Sequence, residues 1–308
     1  MNASFAAALD ASRQAAGPQH YPQGALYVVA TPIGNLADIT LRALHVLSLV
    51  DCIACEDTRH TQSLLRAYGI ERAPGSLLAV HQHNEQEGAA RVLERLASGE
   101  RVAFVSDAGT PAISDPGARL VQAAQAGGHR VMPLPGCSSV TTALSVAGLA
   151  EDGRFEFAGF LDTRGAARDA AIARIAAQPL AVVLLEAPHR IAALARALAT
   201  LGERPVTVAR ELTKQFEDIA TLPAHALADW LTGPPSRERG EFALVVHPRP
   251  TPAAGDVQGP GDEALRVLRL LLAELPMKSA VKLAAEITRQ PRNALYDAAL
   301  SMKGEAGD

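Results

Sequence analysis

Short apolar segments rich in β-branched residues alternate with amphipathic helical segments from residue 26 onward, and this alternation most limits how the chain can fold. The segment LYVVAT at 26–31 is followed by a helical pattern over 39–50. Further strands are predicted at 52–56, 77–80, 102–105 and 130–132, with helices between them. Strands joined through helices pair in parallel, with the helices covering both faces of the sheet. Residues 25–150 are therefore predicted to form one α/β domain with a mainly parallel sheet.

A second α/β domain is predicted over residues 151–247, after a glycine-bearing acidic segment at 148–153 with the composition of a hinge. Its strands are predicted at 155–160, 180–185, 206–209 and 242–246. Residues 248–261, PRPTPAAGDVQGPG, have linker composition. Residues 262–308 are predicted to form a small helical domain of three short helices separated by prolines. Residues 1–24 are expected to be a flexible extension.

The overall charge does not indicate a nucleic-acid partner, because the formal net charge of the 308 residues is -4. Any contact with RNA must come from local basic patches. Residues 1–24 lack the basic and apolar regions of a secretory signal, and no apolar run has the roughly 18 residues of a membrane span. We expect a cytoplasmic protein without membrane contact, in which the three cysteines stay reduced.

A C-x-x-C pair, Cys52 and Cys55, lies in a predicted buried strand. On a strand these positions point to opposite faces, so two buried thiols are favoured over a redox or zinc site. No histidine has the spacing of a metal ligand set, and no metal is predicted. The chain also has neither G-x-G-x-x-G nor G-x-x-x-x-G-K-[ST], which disfavours dehydrogenases and P-loop nucleotidases.

Three polar loops follow predicted strands directly, at 31–40, 106–117 and 133–140. An open parallel sheet places its ligand crevice at this edge. In each loop a structural interpretation competes with ligand binding: Asp38 or Thr40 can cap a helix, Asp115 and Pro116 have the pattern of a helix start, and the serines of the third loop can cap the next helix. Asp107, at the end of its strand, can instead accept hydrogen bonds from a ribose or an amino group.

Several long segments resemble the tetrapyrrole methylase superfamily and, within it, the bacterial small-subunit rRNA ribose 2'-O-methyltransferases. They lie at 26–41 (LYVVATPIGNLADITL), 53–61 (IACEDTRHT), 83–85 (HNE), 105–121 (VSDAGTPAISDPGARLV), 133–136 (PLPG), 186–190 (EAPHR), 209–214 (ARELTK) and 240–246 (GEFALVV). The tail is similar to the family's extra domain over 275–287 and 292–296. The longer segments are too specific to arise as generic turns.

The resemblance implies two α/β domains of the tetrapyrrole methylase type with a cleft between them for S-adenosylmethionine, plus the helical C-terminal domain. It also implies a homodimer that methylates a cytidine 2'-hydroxyl in the decoding region of 16S rRNA, within the 30S ribosomal subunit. The residues implied to bind the cofactor are Ile33, Asp107, Thr110, Ser138, Ser139, Leu185, Leu212 and Phe242. At 161–164 (LDTR) the chain departs from the family pattern, and Arg164 and Arg168 can substitute there in contacting RNA.

A ribose hydroxyl is a poor nucleophile and needs a base, or a cation that stabilises the forming alkoxide. We expect these groups among Glu56, Asp57, Glu211 and Lys214, which lie in charged clusters after strands. Both clusters also fit ion-paired turns that start helices. The expected RNA contacts are Arg59, Arg164 and Arg168 with Lys278, Lys282 and Arg292 of the tail, although a basic tail face also fits a solvated surface.

Two other functions remain open. Methylation of a tetrapyrrole carbon would use the same fold, and the segments ATPIGN, EDTRHT and ARELTK argue against it by resemblance only. A factor that keeps the fold and binds rRNA without catalysis would suit the basic tail.

Overall fold

The computed structural model describes residues 5–81, 84–114, 117–149, 153–234, 237–249 and 260–305, with the side chains of 262 and 303–305 excepted. The chain divides into a compact unit, Met1–Arg249, and a second unit, Pro250–Asp308. The predicted division of residues 25–247 into two domains stays a prediction, since the first unit contains two sheets within one compact body. The predicted hinge at 148–153 lies partly outside the described residues.

The first sheet has five strands in the order β3-β2-β4-β1-β5, and all of its pairings are parallel. The strands are β1 (Ala25–Val29), β2 (Cys52–Cys55), β3 (Leu77–Ala79), β4 (Val102–Val105) and β5 (Arg130–Leu134). The helices that follow them are α2 (Leu41–Leu49), α3 (Thr58–Ala67), α4 (Glu85–Ala97), α5 (Gly117–Ala126) and α6 (Ser139–Val146). The prediction of a parallel α/β sheet is confirmed.

Burial on both faces explains why the strands of this sheet are almost wholly apolar. All four residues of β2 are buried. Cys52 packs in a cluster with Val102 and Phe104, whereas Cys55 packs in a separate cluster with Tyr27 and Leu65. The two thiols therefore lie on opposite faces, as predicted, and both are free.

The second sheet is mixed, with the strand order β6-β7-β10-β8-β9. Its strands are β6 (Phe155–Gly159), β7 (Ala181–Glu186), β8 (Pro205–Arg210), β9 (Asp218–Pro223) and β10 (Phe242–Val246), and its helices are α7 (Ala166–Ala177), α8 (Ile191–Leu198) and α9 (Leu227–Thr232). Among the pairings that the structure describes here, β6 pairs with β7 in parallel and the other three are antiparallel, with β10 between β7 and β8. Strand β9 was not predicted; it pairs with β8 alone, so its residues are only half-buried and their apolar signal is weak.

The N-terminal extension differs from the expectation of a flexible segment, because Ala6–Ala16 forms a helix, α1. Alanine has the highest helix propensity, and Leu9, Ser12 and Ala16 fall on one face that is buried. The ring of Phe5, just before α1, meets that of Tyr68 edge to face at 4.9 Å. These contacts hold α1 against the first sheet's helical layer.

In the second unit, residues 260–305 form the three predicted helices, α10 (Asp262–Glu274), α11 (Met277–Thr288) and α12 (Arg292–Glu305). They enclose a small apolar core that includes Leu268, Val281 and Leu295. Within the described ranges, the chain has no helix with both the length and the apolar character needed to cross a bilayer.

Candidate active site

The three loops singled out from the sequence follow three adjacent strands, β4, β1 and β5, and are tied to one another. Thr31 and Gly109 exchange two backbone hydrogen bonds of 3.0 Å, with Gly109 at a φ of +80° that favours glycine. The Thr110 hydroxyl donates to the Cys137 carbonyl at 2.8 Å, which joins the second loop to the third. This crevice is therefore braced by the protein's own contacts.

Helix capping accounts for part of these loops. Thr40 caps α2 as predicted, since its hydroxyl oxygen accepts from Ala43 N at 3.1 Å. Ser138 occupies the N-cap position of α6, but its side chain makes no capping hydrogen bond. Capping therefore does not explain Ser138. The expected helix start at Asp115 and Pro116 lies outside the described residues, as does His83 of the segment HNE that resembles the family.

Two adjoining cavities of about 350 and 190 Å³ open in this crevice, and they share four lining residues. Every residue predicted to bind the cofactor lines one or both cavities: Ile33, Asp107, Thr110, Ser138, Ser139, Leu185, Leu212 and Phe242. The loops of the first sheet supply hydroxyls and the Asp107 carboxylate, and the second sheet supplies apolar walls together with Glu186 and Glu241. The larger cavity has the size, the apolar walls and the few polar groups that are typical of small-molecule sites.

The turn after β8, at 211–214, has a strained backbone beside the larger cavity. Glu211 and Thr213 have φ values of +51° and +67°, and a β-branched residue rarely adopts such a value. The strain is held by hydrogen bonds from Glu211 N to Glu241 O (2.9 Å) and from Thr213 N to Glu217 Oε2 (2.6 Å). Thr213 Oγ1 is buried and has no hydrogen-bond partner within the described part of the chain. Strain of this kind is concentrated at functional sites.

An ion-paired cluster occupies the same turn. Lys214 Nζ lies 2.8 Å from Glu211 Oε1 and 3.1 Å from Glu241 Oε2. Partial burial alone would raise the pKa of Glu211, but the hydrogen bonds from Lys214 and Glu241 N outweigh it and hold that pKa below its ordinary value. Burial likewise opposes the charge on Lys214, yet its hydrogen bonds to the two carboxylates raise the pKa of Lys214. At neutral pH the cluster holds a lysine cation and ionised Glu211.

Glu56 and Asp57, the other predicted catalytic residues, have different surroundings. Glu56 lines the smaller cavity, and its Oε1 accepts from Asp107 N at 3.4 Å. Asp57 is the N-cap of α3, accepting from Arg59 N and His60 N, and it lines neither cavity. These bonds, the one from Arg59 N foremost, hold the pKa of Asp57 below its usual range. The structure thus gives Asp57 a complete structural explanation and places Glu56 at the cavity.

The predicted RNA contacts are distributed over both units. On the first unit, the side chain of Arg59 is 91% exposed and Arg164 is also exposed. Arg168 is only partly exposed, because its guanidinium donates to the carbonyls of Thr163 and Ala193. It is thus engaged within the protein. In the helical unit, Lys278, Lys282 and Arg292 are exposed.

Sequence reasoning missed two charged residues of the site. Glu241 lines the larger cavity and pairs with Lys214, and Glu186 lines the same cavity with its carboxylate 3.0 Å from Arg190 Nε. Both glutamates lie in segments, EAPHR and GEFALVV, that carry the family resemblance, so the signal was present. Among the residues that the structure describes, no group of three His, Cys, Asp or Glu is arranged to hold a metal ion.

Comparison with known proteins identifies relatives over most of the chain. A family model for tetrapyrrole (corrin/porphyrin) methylases matches residues 25–228, and a model for the RsmI C-terminal HTH domain matches 258–303. A protein of Pseudomonas aeruginosa named ribosomal RNA small subunit methyltransferase I is 48% identical over 288 residues, covering 92% of this chain and 99% of that protein. The protein of that name from Escherichia coli O157:H7 is 48% identical over 284 residues, covering 92% of this chain and 96% of its own length.

A solved structure supports the fold. Uroporphyrin-III C-methyl transferase from Thermus thermophilus, complexed with S-adenyl homocysteine, aligns with a TM-score of 0.51 over 72% of this chain and 96% of its own. The sequences are 19% identical, so the likeness concerns the fold alone.

Proposed function

We propose that this chain, which belongs to the family of tetrapyrrole (corrin/porphyrin) methylases, transfers a methyl group from S-adenosylmethionine to the RNA of the small ribosomal subunit. The curated relatives at 48% identity bear the name of that activity, and their alignments cover 92% of the chain. The match of residues 258–303 to a helix-turn-helix model adds a module of a type used on nucleic acids. The observation that carries the proposal is the pair of braced cavities lined by every residue predicted to hold the cofactor.

The cavity walls fit an adenosyl cofactor. The loops from the first sheet offer Asp107 and the Ser138 and Ser139 hydroxyls, which suit ribose and amino groups. Leu212 and Phe242 offer an apolar surface against which a purine can pack. Asp107, Ser138 and Ser139 would hold the polar parts of the cofactor, and Ile33, Leu185, Leu212 and Phe242 its apolar parts.

S-adenosylmethionine, when bound, supplies a methyl group on a sulfonium whose leaving group is neutral. The task of the protein is then to hold the acceptor oxygen in line and to manage its proton. Lys214, kept protonated by its carboxylate partners, is suited to stabilise negative charge that develops on that oxygen. The hydroxyl proton passes to a carboxylate, and the two predicted candidates are Glu56, which lines the smaller cavity, and Glu211, which pairs with Lys214. Because its hydrogen bonds hold the pKa of Glu211 below the ordinary value, Glu211 is a weaker base than an ordinary glutamate.

The finer part of the proposal is that the acceptor is a cytidine 2'-hydroxyl in the decoding region of 16S rRNA, within the 30S subunit. The same proposal includes a homodimer working in the cytoplasm. The family resemblance of the segments ATPIGN, EDTRHT and ARELTK supports it. Methylation of a tetrapyrrole carbon is disfavoured, because the relatives named as rRNA methyltransferases align over nearly the whole chain.

The test is to incubate pure protein and labelled S-adenosylmethionine with undermethylated small subunits, free 16S rRNA or a uroporphyrinogen. We expect label in RNA, at a ribose oxygen of one cytidine by mass spectrometry of the digest. Label in the porphyrin, or RNA binding without label, would overturn the proposal, and so would calorimetry that detects no cofactor uptake with or without subunits.

The catalytic assignment has its own test. Glu56, Glu211 and Lys214 are each replaced by Ala, and single-turnover methylation is measured at saturating cofactor. We expect each change to slow the reaction, with Asp57→Asn as the control that preserves the cap of α3 and the rate. Wild-type rates in all three alanine variants would refute the assignment.

A further inference from the structure

A large groove of about 1220 Å³ begins where the cofactor cavity ends. Ile33 lines the cavity, and the next residue, Gly34, lines the groove. Likewise, Leu212 lines the cavity and Thr213 lines the groove. The boundary is the contact between Gly34 and Lys214, which is so close that a Cβ on Gly34 would lie 2.4 Å from Lys214 Cγ. Whatever occupies the groove therefore comes directly beside the strained turn and its lysine.

The groove differs in charge from the chain as a whole. Its lining residues include the cations Arg66 and Lys214 and the amides Asn35 and Gln215, and none of the lining residues described is an aspartate or a glutamate, although the chain has a net charge of -4. Lys214 is already paired with carboxylates, so Arg66 is the exposed cation of the groove. It follows Arg59 by two helical turns on α3, which puts both arginines on one exposed face. A cationic face leading into a groove without acidic groups fits a phosphate backbone.

Aromatic and apolar groups complete this surface. Phe5, Leu36 and Tyr68 line the groove, and the Tyr68 hydroxyl donates to Leu36 O at 2.7 Å. Phe216 directly follows Gln215, and 69% of its surface is exposed. Its carbonyl accepts from Arg210 Nη1 at 3.1 Å, so the backbone is held while the ring faces solvent. Of these rings, Tyr68 is buried and Phe216 is exposed. An exposed ring beside a cationic track is a surface on which an unpaired base stacks.

We propose that this groove holds an unpaired RNA strand flanking the nucleotide to be methylated, with Phe216 stacking on a base and Arg66 contacting a phosphate. This inference rests on the proposed function and names the part of the protein that receives its RNA. The strand passes over the Gly34–Lys214 boundary, which brings the acceptor ribose to the cofactor side.

Photocrosslinking tests where the RNA lies. Phe216→p-benzoylphenylalanine is irradiated with undermethylated small subunits, and crosslinked positions in 16S rRNA are mapped by reverse-transcription stops. The control is Phe155→p-benzoylphenylalanine, since Phe155 is also an exposed phenylalanine, 41%, but lies on β6, where neither of its chain neighbours lines the groove. We expect a crosslink beside the methylated nucleotide from position 216 and none from 155. Equal crosslinking from both positions, or a crosslink from 216 to a second copy of the chain, would overturn the inference.

Kinetics test the two contacts separately. Phe216→Ala is expected to raise KM for the subunit by about 5- to 100-fold, and Phe216→Tyr to restore it. Arg66→Glu is expected to raise KM and to reduce the salt dependence of binding by about one phosphate contact, whereas Arg196→Glu, an equal charge change on the exposed side of α8, is expected to have little effect. Cofactor affinity, measured by calorimetry, should stay at the wild-type value in all four. If wild type methylates and Phe216→Ala and Arg66→Glu match it, the inference fails while the proposed function stands.

Discussion

Replacing Gly34 by alanine should slow methyl transfer strongly while leaving the fold and the cofactor site intact. Gly34 does not have a positive φ, so its backbone accommodates alanine. The new methyl group would lie 2.4 Å from Lys214 Cγ and 2.9 Å from Cε, where ordinary contacts begin at 3.4 Å. The lysine side chain must therefore move by at least about 1 Å. We expect a movement of this size to break the hydrogen bond of 2.8 Å between Lys214 Nζ and Glu211.

The effect on stability is small because two changes oppose each other. The Lys214–Glu211 pair is 28% and 19% exposed, and losing it costs roughly 0.5–1 kcal/mol. The pair with Glu241, whose side chain is 73% exposed, contributes little. Replacing glycine by alanine restricts the unfolded chain, which raises the free energy of unfolding by about 0.4–1 kcal/mol. The net free energy of unfolding should stay within about 1 kcal/mol of wild type. With Lys214 in its proposed role beside the acceptor oxygen, in contrast, a displacement of 1 Å should cost about 100-fold in rate.

Three measurements separate these effects. Single-turnover methylation of undermethylated subunits gives the rate, calorimetry gives cofactor affinity, and urea unfolding gives stability. Gly261→Ala is the matched control, because nothing lies within 4 Å of the added methyl group, and Lys214→Met should reproduce the loss of rate. A wild-type rate for Gly34→Ala would refute the role given to Lys214. A loss of stability or cofactor affinity as large as the loss of rate would show that the substitution acts through the fold.

Three further predictions concern other parts of the first unit. Thr40→Ala removes a helix cap, so it should lower the free energy of unfolding by about 1 kcal/mol and leave cofactor affinity unchanged. Ser138→Ala removes no cap, so it should weaken cofactor binding with little change in stability. The opposite pattern would contradict both assignments. Burial, and to a smaller extent the charge of Arg204, lowers the pKa of His247. Folding therefore favours the neutral ring, and stability should fall as the pH drops below about 6.5. His247→Asn should make that fall smaller in urea titrations at pH 5–8. Burial raises the pKa of Cys55 to about 11 and also raises that of Cys52. Neither thiol of the native protein should therefore react with a thiol reagent at pH 8. Rapid labelling of either cysteine, detected by mass spectrometry, would show that it is exposed.

Periodicity predicted the elements whose burial is one-sided or complete. The wholly buried strand Cys52–Cys55 and the divergence of its two thiols followed from the alternation of strand faces. Strand β9 was missed because an edge strand shows little contrast between its faces. The helix Ala6–Ala16 was missed because alanine-rich segments bury little area and resemble flexible extensions in composition. Its register depends on tertiary contacts such as that between Phe5 and Tyr68, which no local pattern encodes.

The site was predictable in its location and less so in its details. Loops after parallel strands meet at one edge, so the family resemblance could name cavity residues that the structure brings together. The left-handed backbone at Glu211 and Thr213 could not be foreseen, since neither residue type favours it. The pairing of Lys214 with Glu241 joins residues 27 positions apart, which spacing alone does not reveal. For Asp57, the sequence allowed both a catalytic residue and a helix cap, and the structure shows it capping α3.

Helix α1 precedes the segment matched by the methylase model, which starts at residue 25, yet it forms one wall of the groove. A chain shortened to that family boundary would strip the Phe5 ring from Tyr68 and leave the tyrosine, whose hydroxyl steadies Leu36, open to water. The start of the family match, residue 25, thus differs from the start of the packed structure, which includes α1. Any minimal catalytic fragment should begin before Phe5.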